Sequence, residues 1–418
     1  MNIIDIYLGY FPPGVADILA QTLHSFAVTG PYWGPVLIFM FSIDMWKRYV
    51  RAYYLSTVEW VIIEIKLPPE LSKSPQAMEV MFSMFHQTSD KKWYDRWWKG
   101  YVRTWFSLEL VSLEGHVHFF IRMERRFLKA ILPYIYSQFP NVQISEVEDY
   151  VNFVNYRANS EWDIFGTEFL LTKPDPYPIK TYMDYGLDKD VRDDTTRVDP
   201  ITPVIEYLGS IGKDEQIWIQ ILIMASKPRY KVKGKWFKKQ TWHDEGTALV
   251  KKLREAEKTP GQEGVILYMR NKMLSPGEEQ IVKSIERGIG KLGFDCGIRS
   301  IYLAKKNAFD GARKPGLVHS FRQYNTTDMN GFRPNRTTDF DYPWQDFKNI
   351  RLNLKKHFMF RAYKARSYFY QPYVRKPFAL STEELATIYH FPGAVSETPT
   401  FHRVPSKTGK APSNLPRE

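Results

Sequence analysis

Few side chains in this sequence have the types and spacing that chemistry demands. His116 and His118 fall on one face of the segment His116-Val-His-Phe-Phe-Ile-Arg122, which would suit two metal ligands. No third ligand lies within reach by sequence, so an exposed strand face outweighs a metal site. Glu146, Glu148 and Asp149 could furnish a carboxylate pair, but Glu146 and Glu148 at period two read as a solvated strand face. Cys296, the single cysteine, has no motif partner and forms neither an internal disulfide nor a thiolate cluster. The nearest string to a phosphate-binding loop, Ser406-Lys-Thr-Gly-Lys-Ala411, lacks the first glycine and the hydroxyl after the lysine. Arg287-Gly-Ile-Gly-Lys291 sits inside an expected helix and is no dinucleotide fingerprint. Neither a catalytic constellation, a metal site nor a cofactor fingerprint stands out, and a non-enzymatic protein is expected.

Two basic stretches remain. Lys227, Arg229, Lys231, Lys233, Lys235, Lys238 and Lys239 alternate with Tyr230, Trp236 and Phe237. Further on, Arg351, Lys355, Lys356, Arg361, Lys364, Arg366, Arg375 and Lys376 interleave with Phe358, Phe360, Tyr363, Tyr368, Phe369, Tyr370 and Tyr373. Cations for phosphates and aromatic faces for bases are what a single-strand platform needs. A solvated face, an acidic protein partner and anionic lipid headgroups compete for the same pattern. The net charge of +12 hides a partition: residues 1–226 sum to −7 and residues 227–418 to +19.

The chain also contains no Lys or Arg in its first 46 residues, after which Lys47, Arg48 and Arg51 follow at once. Between Trp33 and Trp46 runs an apolar stretch carrying Leu37, Ile38, Phe39 and Phe41. Apolar run, aromatic ends and one-sided basic flank are the marks of a membrane segment. The run is short for a span, and reaches adequate length once residues to Tyr54 are added with the cations snorkelling. The positive-inside rule then expects a single pass through the inner (cytoplasmic) membrane, with everything after Arg51 in the cytoplasm. A separate helix over 15–24 is expected to lie on the outer interface. The lone cysteine fits a reducing compartment for the rest.

The elements that must position these groups follow from periodicity. Val58–Lys66 is β-branched and aromatic; Ser74-Pro75 opens a helix with Met78, Met81, Phe82 and Phe85 on one stripe. A hairpin turns at Glu114-Gly115, a helix runs from Arg126 to Phe139, and a strand covers Val142–Tyr150. The order βαββαβ is the ferredoxin-like arrangement. A second, looser unit places strands at 168–172, 216–224 and 298–304, with helices at 200–209 and from Ser275 to Lys291. The expected organisation is thus α+β. Residues 1–57 hold the membrane helix, 58–160 and 161–325 two ferredoxin-like units, the second with a basic insertion. Residues 326–396 form a basic aromatic extension with a Ser381–Glu384 capping box, and 397–418 a disordered tail.

Several strings taken together carry a family resemblance: Glu64-Ile-Lys-Leu-Pro68, Ala77-Met-Glu79, Trp105-Phe-Ser-Leu-Glu109, Glu146-Val-Glu-Asp-Tyr150, Glu215-Gln-Ile-Trp-Ile-Gln220, His390-Phe-Pro392 and Asn414-Leu-Pro416. Over residues 33–418 the chain resembles a bacterial family of membrane-anchored proteins encoded with, or fused to, conjugation-type DNA-translocation ATPases of type IV secretion systems. In the resembling fused proteins the ATPase core begins after the Asn-Leu-Pro string. The resemblance implies an adaptor whose partners are the membrane and a separate P-loop ATPase. DNA binding and self-association stay open as further contacts. It carries over no catalytic residue and no cofactor.

Overall fold

Turn and cap residues divide the chain into strands and helices in the computed structural model, which describes residues 12–68, 73–88, 91–157, 160–188, 198–228, 230–231, 239–254, 274–340, 342, 344 and 346–392. The elements begin with α1 (Pro13–Thr57), β1 (Trp60–Lys66), α2 (Pro75–Phe85), α3 (Trp93–Trp98), β2 (Phe106–Leu113), β3 (His116–Glu124), α4 (Arg125–Gln138) and β4 (Gln143–Val147). They continue with β5 (Trp162–Leu171), α5 (Thr202–Gly209), β6 (Glu215–Ala225), α6 (Trp242–Arg254), α7 (Pro276–Ile289) and β7 (Gly293–Lys305). The last are α8 (Arg313–His319), β8 (Phe332–Asn335), α9 (Ile350–Lys364), β9 (Phe378–Ser381) and α10 (Thr382–Ile388). The chain forms two compact units, one of residues 1–58 with 90–102 and one of residues 59–89 with 103–418.

In the first unit α1 is continuous, where a separate interfacial helix over 15–24 was expected. The Gly-Pro pairs at 30–31 and 34–35 do not end it, because an interior proline forfeits one ladder hydrogen bond without cancelling the rest. Within it, Asp17–Thr57 is long and apolar enough to cross a membrane; its most apolar window has a mean hydropathy of 1.4, and none of that window is buried.

The second unit is built on one mixed α+β frame whose strands pair antiparallel throughout. The strand order is β8-β5-β7-β6-β2-β3-β1-β4, with β9 added to β7. Read outward from the β2–β6 junction, β2-β3-β1-β4 on one side matches β6-β7-β5-β8 on the other. The halves differ at one connection. Between β2 and β3 the chain turns at Glu114 and Gly115, whose φ values of 53° and 92° suit a tight hairpin. Between β6 and β7 it makes the excursion that contains α6 and α7.

Both faces of this sheet are covered, so its central strands are apolar almost throughout. Ile217, Ile219, Ile221 and Ile223 of β6 join Phe106, Leu108 and Leu110 of β2 in the main core, with Met78, Phe82, Ile131, Ile205, Leu317 and Leu385 from the helices. The opposite face carries Val111, Phe120, Trp218, Ile301 and Leu303, under Met359, Phe360 and Tyr363 of α9. The Ser275 and Ser381 capping boxes both form.

Of the expected extension over 326–396, the elements β8, β9 and α10 are woven into the same unit instead of extending from it: β8 pairs with β5 and β9 with β7, and every residue of α10 is buried, while residues 393–396 lie outside the described residues. Phe332, Phe378, Leu380 and Leu385 are apolar enough to join the main core, a signal masked by the basic residues between them. Likewise β5 begins at Trp162, earlier than the expected Glu168, while β4 stops at Val147 and Tyr150–Phe153 turn into a 3-10 helix.

Candidate contact surface over a buried polar row

On the face covered by α9, the pairing register lines up one residue from each of six strands. Glu64 lies opposite Phe120, Phe120 opposite Glu109, Glu109 opposite Gln220, Gln220 opposite Arg299, and Arg299 opposite Glu168. A polar row therefore crosses the middle of an apolar face. Such groups are costly unless each finds a partner. Glu109 Oε1 accepts from the Ser107 hydroxyl (2.5 Å) and Gln220 Nε2 (3.1 Å), and Oε2 accepts from the Tyr150 hydroxyl at 2.8 Å. Arg299 donates to Gln220 Oε1 (3.3 Å) and to Glu168 Oε1 (3.0 Å). Arg375 donates to the other Glu168 oxygen at 3.0 Å.

The chain after α9 closes the row. Arg366 turns down with its own φ at +47° and donates Nε and Nη2 to the two Glu109 oxygens at 3.0 and 3.1 Å. It also pairs with Asp149, Nη2 lying 2.9 Å from Oδ1. Burial on its own would raise the Glu109 carboxyl, but Arg366, Ser107 and Tyr150 outweigh it and hold the group below its ordinary range. The Tyr150 and Tyr363 hydroxyls, 2.7 Å apart, are pushed well up by burial and by the Glu109 charge. Next along, the Tyr368 ring lies on Gly297, where a Cβ would sit 2.4 Å from the ring. Glu109, Asp149 and Glu168 are thus matched by Arg299, Arg366 and Arg375, and these six groups carry no net charge.

The two basic stretches fare differently. Of the first, Lys233, Lys235, Trp236 and Lys238 lie outside the described residues. Lys231 and Lys239 pair in a two-residue ladder, and Lys239 is exposed. Of the second, Arg351, Lys355, Arg361 and Lys364 are exposed on the outer side of α9. Lys355 lies over the Phe340 ring at 3.7 Å and Arg351 over the same ring at 5.4 Å. Lys356 instead points inward and meets Asp163 at 2.6 Å. Arg366, 1% exposed, belongs to the core and not to the contact face. A helix with buried residues at 356, 359, 360 and 363 must turn some cations in with its apolar stripe.

Sequence reasoning missed the polar row, although its signal was available: Glu109, Gln220 and Arg299 each interrupt a strand that is otherwise apolar enough to be central. The histidines behave as a strand face. His118 Nδ1 sits 2.7 Å from Glu64 Oε1, with its ring stacked on Phe120. Burial pushes Glu64 up, but His118 and Lys66 bring it below its ordinary value. His118 borders an open cavity of about 430 Å³ together with Glu114, His116 and Tyr150. Among the described residues no group of three His, Cys, Asp or Glu is placed to hold a metal ion. Cys296 is buried in the main core.

The residues expected to anchor the chain lie on α1. Trp33, Leu37, Ile38, Phe39, Phe41 and Trp46 are between 41% and 68% exposed. Arg48 pairs with Asp44 one turn earlier at 2.7 Å, and Lys47 lies over the Trp97 ring. Sequence reasoning also missed α3, whose Trp93, Tyr94, Trp97 and Trp98 crowd four large rings into six residues.

With this geometry in place, the chain belongs to the family described as domain of unknown function (DUF8128), whose model matches residues 55–403. No curated protein matches the chain.

Proposed function

We propose that this member of the DUF8128 family is a non-enzymatic adaptor held in the inner membrane by α1, with its sheet-bearing unit in the cytoplasm. In this reading the sheet is a fused pair of ferredoxin-like units, each half keeping the order of a split βαβ fold. The pair positions a separate HerA/FtsK-like hexameric ATPase of a type IV secretion-like system, as the resemblance in residues 33–418 implies. The observation that carries the reading is the long exposed apolar helix, with no Lys or Arg before residue 47 and three basic residues directly after Trp46. The buried polar row supports it in a second way. Its buried carboxylates Glu109 and Glu168 are spent on arginine partners, as in a frame. Copurification of the tagged chain from membranes tests the proposal: a P-loop ATPase is expected, and its repeated absence after mild crosslinking overturns the partner assignment.

The exposed cations of α9 favour one competing reading, a protein that binds nucleic acid on its own. Salt-dependent binding of single-stranded DNA that falls in an Arg361→Glu/Lys364→Glu variant would support that reading; no binding at low salt ends it.

A further inference from the structure

The unit formed by residues 1–58 and 90–102 holds a second, unassigned surface. Along α1, residues 18–43 carry no Asp, Glu, Lys or Arg, about 39 Å of helix at 1.5 Å per residue. That exceeds the roughly 30 Å of a bilayer's hydrocarbon core, so apolarity alone does not say where the water boundary falls. The short helix α3 supplies the missing marker. It packs beside α1 just past the apolar stretch: Trp46 Nε1 donates to the Trp97 carbonyl at 3.1 Å, and the Trp46 and Trp98 rings meet edge to face at 5.8 Å. Tyr101 packs on Tyr54, and Gly100 takes a φ of +65° where a side chain would run into the Val50 carbonyl.

The result is a ring of exposed aromatics with cations among them. Tyr49, Tyr53, Trp93, Tyr94, Trp97 and Trp98 are all more than 40% exposed, a density that a water-facing surface rarely tolerates. Lys47, Arg51 and Arg96 meet Trp93 and Trp97 around a cavity of about 310 Å³. Lys47 Nζ stands 4.2 Å from the centre of the Trp97 ring. None of these three cations has a carboxylate partner among the described residues, whereas neighbouring Arg48 and Lys99 pair with Asp44 and Asp95. Aromatic rings that want an amphipathic boundary surround cations that want an anion.

We propose that Lys47, Arg51 and Arg96 form a binding site for the phosphate of an anionic phospholipid, with the α3 tryptophans seated at the headgroup level. This proposal rests on α1 being a membrane span and adds a lipid preference and a depth: the boundary lies near Trp46, so the hydrocarbon-embedded stretch ends there instead of reaching Tyr54. A cation near a charged membrane surface contributes about fivefold in affinity, so losing three weakens binding by about 100-fold.

The test uses the full chain in detergent, titrated with phosphatidylglycerol, with phosphatidylcholine and with inorganic phosphate, and read by native mass spectrometry. Alkaline carbonate extraction of cell membranes runs in parallel. The expected result is a wild-type chain that resists extraction and prefers phosphatidylglycerol. Lys47→Ala/Arg51→Ala/Arg96→Ala should lose that preference by tenfold or more, while Lys47→Arg/Arg51→Lys/Arg96→Lys keeps it. Removing the exposed Lys129, Lys213 and Lys306 should change nothing. An extraction-resistant chain whose triple alanine variant binds phosphatidylglycerol within threefold of wild type overturns the site and leaves the anchor standing. So does equal loss on removing the remote lysines. Displacement of the lipid by millimolar inorganic phosphate assigns the pocket to free phosphate and overturns the lipid. Release of the wild-type chain by carbonate overturns the membrane reading and the site together.

Discussion

Replacing Arg366 by Met isolates what the polar row does. The side chain is 1% exposed, Glu109 is fully buried, and two charged hydrogen bonds of 3.0 and 3.1 Å join them. Taking Arg366 away leaves the Glu109 carboxylate with three neutral donors, Ser107, Tyr150 and Gln220, in a low-dielectric site. Removing one partner of a buried ion pair costs about 3–5 kcal/mol. At about 2.1 cal/mol/K of unfolding entropy per residue, that lowers the melting temperature of a unit spanning 59–89 and 103–392 by about 4–8 °C. Adding Glu109→Gln to Arg366→Met removes the stranded charge, and the freed Asp149 has a side chain 27% exposed to solvent. The double variant should therefore be more stable than Arg366→Met alone, with a coupling of roughly 0.5–3 kcal/mol between the two sites.

The sign of the pH dependence makes this a sharper test. In the wild type Glu109 is held below its ordinary 4.5, so its contribution is present above about pH 4.5 and is lost as pH falls through the folded value. Without Arg366, burial dominates and raises the same carboxyl. Its penalty is then absent below about pH 4.5 and grows as pH rises. Between pH 5 and 7 the Arg366→Met protein should lose stability with rising pH relative to wild type. Urea unfolding of the full chain in detergent reads this directly, with buried Trp218 and Trp105 as fluorescent reporters; Trp105 donates to the Arg366 carbonyl at 3.1 Å. Additive single and double variants, or an unchanged pH slope in Arg366→Met, would refute the claim that the pair is one buried electrostatic unit.

Three further outcomes follow from other parts of the chain. Burial, reinforced by the Glu383 charge, lifts the Glu384 carboxyl to about 7 against the pull of Ser381 and the Ile179 amide. Its favourable contribution is therefore full below about pH 4.5 and lost by pH 7, worth about 3 kcal/mol, and Glu384→Gln should flatten that slope in the same urea titration. Gly297→Ala pushes a methyl into the Tyr368 ring and should cost roughly 1–3 kcal/mol, with partial rescue by Tyr368→Leu in thermal melts. In α1, Ile38→Arg places a charge in the apolar stretch at roughly 2.5–3.5 kcal/mol, and should shift the chain from the carbonate-resistant to the extracted fraction.

How much of this was legible from the residues depends on whether the deciding contact is local. The Glu114-Gly115 hairpin, the Ser74, Ser275 and Ser381 caps and the apolar stripe of α2 are fixed within a few residues, and the sequence specifies them. The junction of β2 with β6 is not local. It joins strands a hundred residues apart in the chain, and nothing in either strand names its neighbour. The same holds for Arg366. Its type, charge and flanking aromatics resemble those of exposed Arg361 and Lys364, and only the turn after α9 sends it inward to a carboxylate 257 positions away.

That contrast also explains why net charge misleads in this protein. The second half of the chain is strongly basic, yet Lys356, Arg299, Arg366 and Arg375 all lie against acidic side chains. Of their partners, Glu109, Asp149 and Asp163 come from the acidic first half and Glu168 does as well. Part of the charge partition seen along the sequence is therefore complementarity between earlier and later segments of one folded unit, cancelled on folding. Two clustered sets of cations stay clear of such burial: Arg351, Lys355, Arg361 and Lys364, exposed on α9, and Lys47, Arg51 and Arg96 beside α1, which have no carboxylate partner among the described residues. In the readings proposed above, a polyanion or an acidic protein would meet the first set and a lipid phosphate the second. Charge reversal on one set should leave the contacts of the other unchanged, because each set lies in a different compact unit of the chain.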